Sequence, residues 1–555
     1  MKADPLTQPT FRDFRAPRGD GEALIDPPPS QIDGVIDENL RSAARWSGEV
    51  AGLSWTELRS IARAEVFDAA ALTVAPYRNL DSCLPQGNDD RALPSSESTA
   101  GLPPQWIVAG HQSELFHPGV WFKNFVLSSL AAHRRAIALN LVIDHDLCSH
   151  TSIQALGGVA QQWQRVAVAI DRPLTSSTSL AGAIPYEQHP ISDRRFFDSF
   201  AARLLEVVGS WNRHPLVLEL WPMVSAAAAR HGMFGRSLAE GRHQIEESFG
   251  LRTLEVPFSR IARSRGFLTL LAAILAELPR FQRCYNDSLE EYKAAHGIRS
   301  AAHPVPSLGE AGQWLEAPYW IYGDDDPRRR SMWVRRVGRG VEISDRHRRS
   351  LRIDGPLDTT AAIAALEQQT GAEFKIRPRA LVTTMYARLV LADLFLHGIG
   401  GAKYDQLGDL ISQRFFQLRP PHYGVLSATL LLPTAVPLDS TPSPHAIHDS
   451  LRSIRFAPER FASLGLIPAE WIAEKEALIR QPPAPKQRPQ WHQRIQRINE
   501  RMQNSLREYQ ASLEELLPRA ILAQRRLQSW RSREMSLVLF SRSQLEQLAR
   551  LGAIP

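Results

Sequence analysis

The chain has 555 residues, 43% of them hydrophobic and 22% charged, with a formal net charge of +6. These are the values of a soluble globular protein long enough for about two to four domains, and the charge is too mild to point to a nucleic-acid partner. Three widely spaced cysteines, Cys83, Cys148 and Cys284, argue against a disulfide scaffold or a zinc–thiolate site and suit a reducing cytoplasm.

The N-terminus has no apolar signal core. The best apolar run, FLTLLAAILAEL at 267–278, has the length of a core helix and not of a membrane span. The positive charge is almost all arginine. Only seven lysines occur: Lys2, Lys123, Lys293, Lys375, Lys403, Lys475 and Lys486.

Residues 1–35 contain PRGDGE and DPPPS and show no periodicity, so a disordered or loosely draped tail is expected. Residues 36–104 read as a helical segment that ends in a polar linker over 85–104. An α/β pattern begins at 106. WIVAG is a short buried strand, a helix starts near Pro118, and ALNLVID is a second strand, with QRVAVAI (164–170) a third candidate. Residues 106–175 therefore read as the first half of a core.

Residues 176–375 read as a mostly helical insertion with short β segments. The second half of the core runs over 376–455, with a strand at 423–433. Residues 456–530 have helical spacing broken by PPAPKQRP, which fits a helical hairpin or short coiled coil. MSLVLFSRSQLEQLARL at the end reads as a strand and a helix, closing a final segment over 456–555. The fold class is thus α/β: a Rossmann-like parallel sheet core with a largely helical insertion and a C-terminal helical hairpin.

Five constellations carry the candidate chemistry. The first strand opens into a loop holding Gly110, His111, Gln112, His117 and Gly119, with Lys123 in the helix that follows. Backbone N–H groups and the helix dipole at such a place suit an anion, and imidazoles there can stabilise charge on a transferred group. The second strand ends in Asp144-His145-Asp146. Ligands of open α/β sheets bind outside the carboxyl ends of strands, and Asp144 and Asp146, two apart on an extended chain, are expected to share a face. That pair suits a ribose, an amine or a divalent metal, or else simply caps the strand.

The third constellation, His397-Gly398-Ile399-Gly400-Gly401-Ala402-Lys403-Tyr404-Asp405, repeats the layout before another helix. Its glycines let backbone approach a ligand, and Lys403 at the helix start suits a phosphate or carboxylate. The spacing matches neither a Walker A loop nor the dinucleotide fingerprint. Fourth, Glu316 sits among Trp314, Tyr319 and Trp320, an arrangement for an amine or sugar or a packed aromatic edge. Fifth, arginines cluster from Arg328 to Arg352 but alternate with acids, as a salt-bridged face does. No GxSxG, HExxH, CxxC or Walker motif is present, so no serine or cysteine nucleophile is indicated.

Together, Ala109-Gly110-His111-Gln112, Leu115-Phe116, Pro118-Gly119 and Lys123, then Ile143-Asp144-His145-Asp146, then the loop His397–Asp405 and Ser427–Thr429 resemble the bacillithiol-biosynthesis cysteine-adding enzyme family. The family's order and layout are kept. The chain departs from it at His111 (first glutamine of the family loop), His117 (glycine) and Lys403 (a region where glutamate is usual). The resemblance implies a core of the nucleotidyltransferase and class I synthetase type, an inserted connecting domain, a C-terminal coiled coil, and bond formation with cysteine in which ATP use is open.

The expected function is a ligase joining an amine, with cysteine one candidate, to a small carboxylate or sugar-linked acid. His111, His117 and Lys403 would act on the anionic or activated group. The binding set would be Gly110, Gln112, Lys123, Asp144, His145, Asp146, Glu316, Gly398, Gly400, Gly401 and Asp405. ATP is the cofactor to test, no resident metal is expected, and the C-terminal helices offer a homodimer surface. Two alternatives stand beside it: a metal-dependent hydrolase using Asp144, Asp146, His145 and His111, and a non-catalytic nucleotide or nucleic-acid binding protein.

Overall fold

The computed structural model describes residues 11–85, 104–158, 163–173, 184–298, 305–433 and 442–554. Strand β1 (Glu22–Asp26) and helix α1 (Pro29–Ala43) open the chain. A capping box between Ser54 and Glu57 then starts helix α2 (Trp55–Val74). The first half of the core follows as β2 (Trp106–His111), α3 (Pro118–Arg134) and β3 (Ile137–Val142). Helices α4 (Val217–His231) and α5 (Phe234–Ser248) precede β4 (Leu254–Pro257). Helices α6 (Arg265–Ala276) and α7 (Leu278–Ala295) lead into β5 (Trp314–Gly323), β6 (Asp326–Val337), β7 (Gly340–Ser344), β8 (Ser350–Ile353) and β9 (Lys375–Pro378). The second half is α8 (Ala380–Tyr386), β10 (Leu394–His397), α9 (Ile399–Phe416) and β11 (Tyr423–Thr429).

Six strands form a mostly parallel sheet in the order β1-β11-β10-β2-β3-β4. Only β1 runs antiparallel, pairing Leu24 with Ser427. Both β2 and β3 are almost wholly buried, which is why their sequences read as near-continuous apolar runs, with Asn140 the polar residue inside β3, instead of alternating. The order contains a switch point. From β2 the chain passes through α3 to β3 on one side, and from β10 it passes through α9 to β11 on the other, while β2 and β10 pair in parallel between them. The carboxyl ends of β2 and β10 therefore border a crevice.

Strands β5 to β9 form a second, antiparallel sheet in the order β8-β7-β6-β5-β9. One apolar core joins β2–β4, α2, α6 and α7 to this sheet. Trp106 and Trp121 are among the largest fully buried side chains, and truncating either to Ala costs about 3–5 kcal/mol. Among the described residues no helix is long and apolar enough to cross a membrane.

Two compact units emerge. One contains Met1–Ala155, Ala167–Leu431 and Arg533–Pro555; the other contains Leu156–Val166 and Leu432–Ser532. The second holds α10 (Pro444–Phe456), α11 (Ala469–Arg480), α12 (Arg488–Ser505) and α13 (Arg507–Trp530), packed on a core of their own that includes Ile447, Ile498 and Met502.

Several sequence expectations change. Residues 22–35 are not a tail, because β1 completes the sheet edge beside β11 and α1 begins at Pro29. The insertion is not only a connector: it supplies β4 to the parallel sheet and builds the second sheet. Residues 375–378 belong to that second sheet and not to the second half of the core. Among the described residues the strand at 164–169 pairs with Ser152–Gly157 and not with the six-stranded sheet. Leu537–Leu539 is a 3-10 turn instead of a strand, ahead of α14 (Arg542–Leu551). Residues 86–103 of the expected linker lie outside the described residues.

Candidate functional site

A cavity of about 900 Å³ opens at the carboxyl ends of β2 and β10, within the first unit. Gly110, His111, Gln112, His117 and Lys123 line one side, His145 and Asp146 another, and His397, Gly398, Gly400 and Gly401 a third. The three segments singled out in the sequence thus border one cavity. Four of the named residues do not. Asp144, Glu316, Lys403 and Asp405 lie elsewhere, each for a specific reason.

The two loops start their helices differently. In the first, His117 is the N-cap of α3, and its Nδ1 accepts the Gly119 N–H at 3.1 Å. Pro118 has no N–H, and those of Val120 and Trp121 reach the His117 carbonyl. The donors of this helix start are spent internally. Burial pushes the His117 imidazole down to about 4, against the pull of Glu534, whose carboxylate lies 3.5 Å from Nε2. Gly119 is required by packing, since a Cβ there would lie 2.2 Å from the Ala428 carbonyl oxygen. In the second loop, α9 begins at Gly398 with no side-chain cap. Its first-turn N–H groups have no intrahelical acceptor, and Gly398 and Gly400 leave open space where a side chain would be. A helix start of this kind leaves backbone N–H donors at the cavity.

Lys123 brings a cation to the same cavity. It is buried, and its Nζ donates one hydrogen bond, to the Gly110 carbonyl at 2.7 Å. An ammonium has three donors, so two remain for a ligand in the cavity. Burial, with the nearby Arg242 guanidinium, brings its pKa down to about 8. Lys403 behaves otherwise: its side chain is 44% exposed and lies 3.4 Å from Asp13.

Four histidines line the cavity. His111 directs Nδ1 at the Gln112 carbonyl at 3.0 Å, which fixes the proton there, and its Nε2 is buried without a partner. Its ring packs edge-on against Phe116, and burial followed by the Arg242 and Lys123 charges lowers its pKa. His145 places Nε2 3.4 Å from the Thr383 hydroxyl, and burial brings it down to about 4. His397 is the fourth. Its Nε2 faces the Asp405 carboxylate at 2.8 Å. Asp405 is not a ligand-facing residue but a buried anchor behind the cavity, held by Arg388 at 2.6 Å and by the Thr384 hydroxyl at 2.7 Å. Despite burial, Arg388 and His397 keep its carboxyl well below the usual range.

Asp144 and Asp146 do not share a cavity. Asp146 lines the large one, accepting from Gln112 at 3.2 Å and from Arg329 at 3.1 Å. Asp144 lines a separate cavity of about 160 Å³ with Glu187 and Ser259. It accepts the Ser259 N–H at 2.9 Å, and burial raises its carboxyl to about 7, with the neighbouring Glu187 adding to the shift. The acids part because the chain leaves the strand after Val142 and turns over 144–146. Asp144 thus lines a different cavity from Asp146, His145 and His111. Among the described residues no group of three or more His, Cys, Asp or Glu side chains is placed to hold a metal ion.

Glu316 is withdrawn into a salt bridge with Arg379 at 2.5 Å. The cavity wall there is Trp320, with the Arg379 and Arg329 guanidiniums 4.2 and 5.1 Å from its ring centre. Arg533 reaches the cavity from near the C-terminus, donating to the Ser427 hydroxyl at 2.7 Å. Arg329 falls in the arginine cluster of 328–352, read there as a salt-bridged face, while no local pattern marks Arg379 or Arg533. The remaining arginines of 328–352 are largely matched: Arg328 with Asp326, Arg335 with Glu342, Arg349 with Asp325 and Arg352 with Asp354.

No protein-family model matches this chain, and no curated protein matches it.

Proposed function

We propose that the chain is a ligase forming a carbon–nitrogen bond between an amine and a small carboxylate or sugar-linked acid, on a Rossmann-like core. The observation that carries this reading is the pairing of the uncapped α9 start with the buried Lys123 at the sheet's switch point. Together they offer unused N–H donors and a charge to an anionic or phosphate-activated acceptor. Arg533 adds a second cation on the β11 side. Asp146, whose side chain is 41% exposed and bonded to Gln112 and Arg329, is one of two carboxylates at the cavity, with Glu534, for an incoming ammonium group. The resemblance to the cysteine-adding enzymes supports cysteine as the amine and ATP as the activator to try first.

The test is binding followed by turnover. Isothermal titration with ATP and with inorganic pyrophosphate is expected to show binding that Lys123→Met weakens. Incubation with ATP, cysteine and a panel of sugar-linked and small carboxylic acids, read by mass spectrometry, is expected to give a condensed product. Absence of both binding and product removes the reading.

A further inference from the structure

We propose that His397 is the proton-accepting base of the cavity and that Asp405 is its positioning residue. This rests on the cavity being the reaction site of the ligase reading. Three features of the geometry single out this histidine. Its Nε2 is held at 2.8 Å by a carboxylate that Arg388 and Thr384 keep ionised and fixed. A carboxylate accepts, so the ring proton sits on Nε2 and the lone pair on Nδ1. The ring is clamped between Phe395 and Tyr423, at 4.6 and 4.9 Å between centroids.

The third feature is a clearance. A Cβ on Gly401 would lie 2.9 Å from Nδ1, so the missing side chain in the first turn of α9 is what leaves that nitrogen open. Both residues line the cavity. The other three histidines differ: His111 has Nδ1 on a carbonyl and Nε2 sealed, His117 uses Nδ1 as a helix cap, and His145 has no carboxylate on either nitrogen.

The charged groups around His397 are Asp405 on α9, Arg388 ahead of β10 and Lys123 on α3. Burial and the two cations hold the ring neutral below the ordinary histidine range, against Asp405. A neutral imidazole is the state a base needs. In the step proposed, the ammonium form of the amine passes one proton to Nδ1 and keeps the electron pair of that N–H bond. The resulting imidazolium lies against the Asp405 carboxylate.

Diethyl pyrocarbonate, which acylates neutral imidazole, tests this on the full chain at pH 7 with peptide mass spectrometry. His397 is expected to react despite its burial, and ATP to protect it. Gly401→Ala is expected to slow its acylation at least about tenfold, while the exposed His445 reacts as before. In the condensation assay, His397→Gln is expected to lower turnover about 100- to 10,000-fold, with ATP affinity changed less than about threefold. An unreactive His397 beside a reactive His445, or a His397→Gln protein with normal turnover, overturns the proposal. An ATP titration separates the two levels. ATP binding with an unreactive His397 removes the base alone, whereas a reactive His397 without ATP binding supports an open Nδ1 and removes the anion reading.

Discussion

The two strand–loop–helix segments, β2–α3 and β10–α9, look like copies in sequence: glycines, a histidine at the strand end and a lysine near the helix start. In the structure they divide the work in the opposite way to their composition. The first segment, rich in histidine, spends its helix start on an internal cap and contributes a buried ammonium. The second, rich in glycine, sends its lysine to the surface and contributes uncapped N–H groups and a carboxylate-held imidazole. Shared layout did not mean shared chemistry; what lay behind each loop decided which atoms remained free.

The largest expected effect breaks the second segment. Asp405→Ala removes one of the two carboxylates paired with the buried Arg388, leaving Asp409, and chemical denaturation should show a loss of about 3–5 kcal/mol. Next, the two helix starts should answer glycine replacement with opposite signs. Gly119→Ala forces a Cβ onto the Ala428 carbonyl and is expected to destabilise by about 1–3 kcal/mol. Gly400→Ala meets open space, and a gain of about 0.5–1 kcal/mol is expected from helix propensity. Equal effects in one thermal melt series would erase the distinction.

The lysines come third. Lys123→Met is expected to weaken pyrophosphate binding about 10- to 100-fold, the worth of a charged hydrogen bond of about 1.5–3 kcal/mol. Lys403→Met, at an exposed ion pair, should change it less than about twofold. The smallest and most diagnostic effect is in pH. The Lys123 ammonium that contacts the anion is lost as pH rises through about 8, so wild-type affinity should fall above that pH and the gap to Lys123→Met should close. A gap that persists well above pH 9 would show that Lys123 keeps its proton there, whereas no gap at any pH would assign the charge to an arginine.

The α/β core, both loops and the acidic strand end were legible because each is local: apolar runs buried on both faces, glycine before a helix, Pro118 at a helix start. The fates of the individual side chains were not. Lys123 is the sixth residue of its helix and Lys403 the fifth, and one residue of helix is a rotation of about 100°. That offset contributes to one lysine facing the cavity while the other faces Asp13. Asp144 and Asp146 were paired by assuming extended backbone, which ends at Val142. Whether an imidazole is free depends on Asp405, Arg388 and the start of α9, packing that no spacing rule displays. Arg329 and Arg533 come from a hairpin and from the returning C-terminus, far from either loop in sequence.

The central claim is that the α9 start and Lys123 hold one anion at the switch point. Crystals soaked with inorganic pyrophosphate test it most directly. The expected result is density with phosphate oxygens within hydrogen-bond distance of the Gly400 and Gly401 N–H groups and of Lys123 Nζ. Pyrophosphate bound elsewhere, or an empty cavity at saturating concentration, would contradict it.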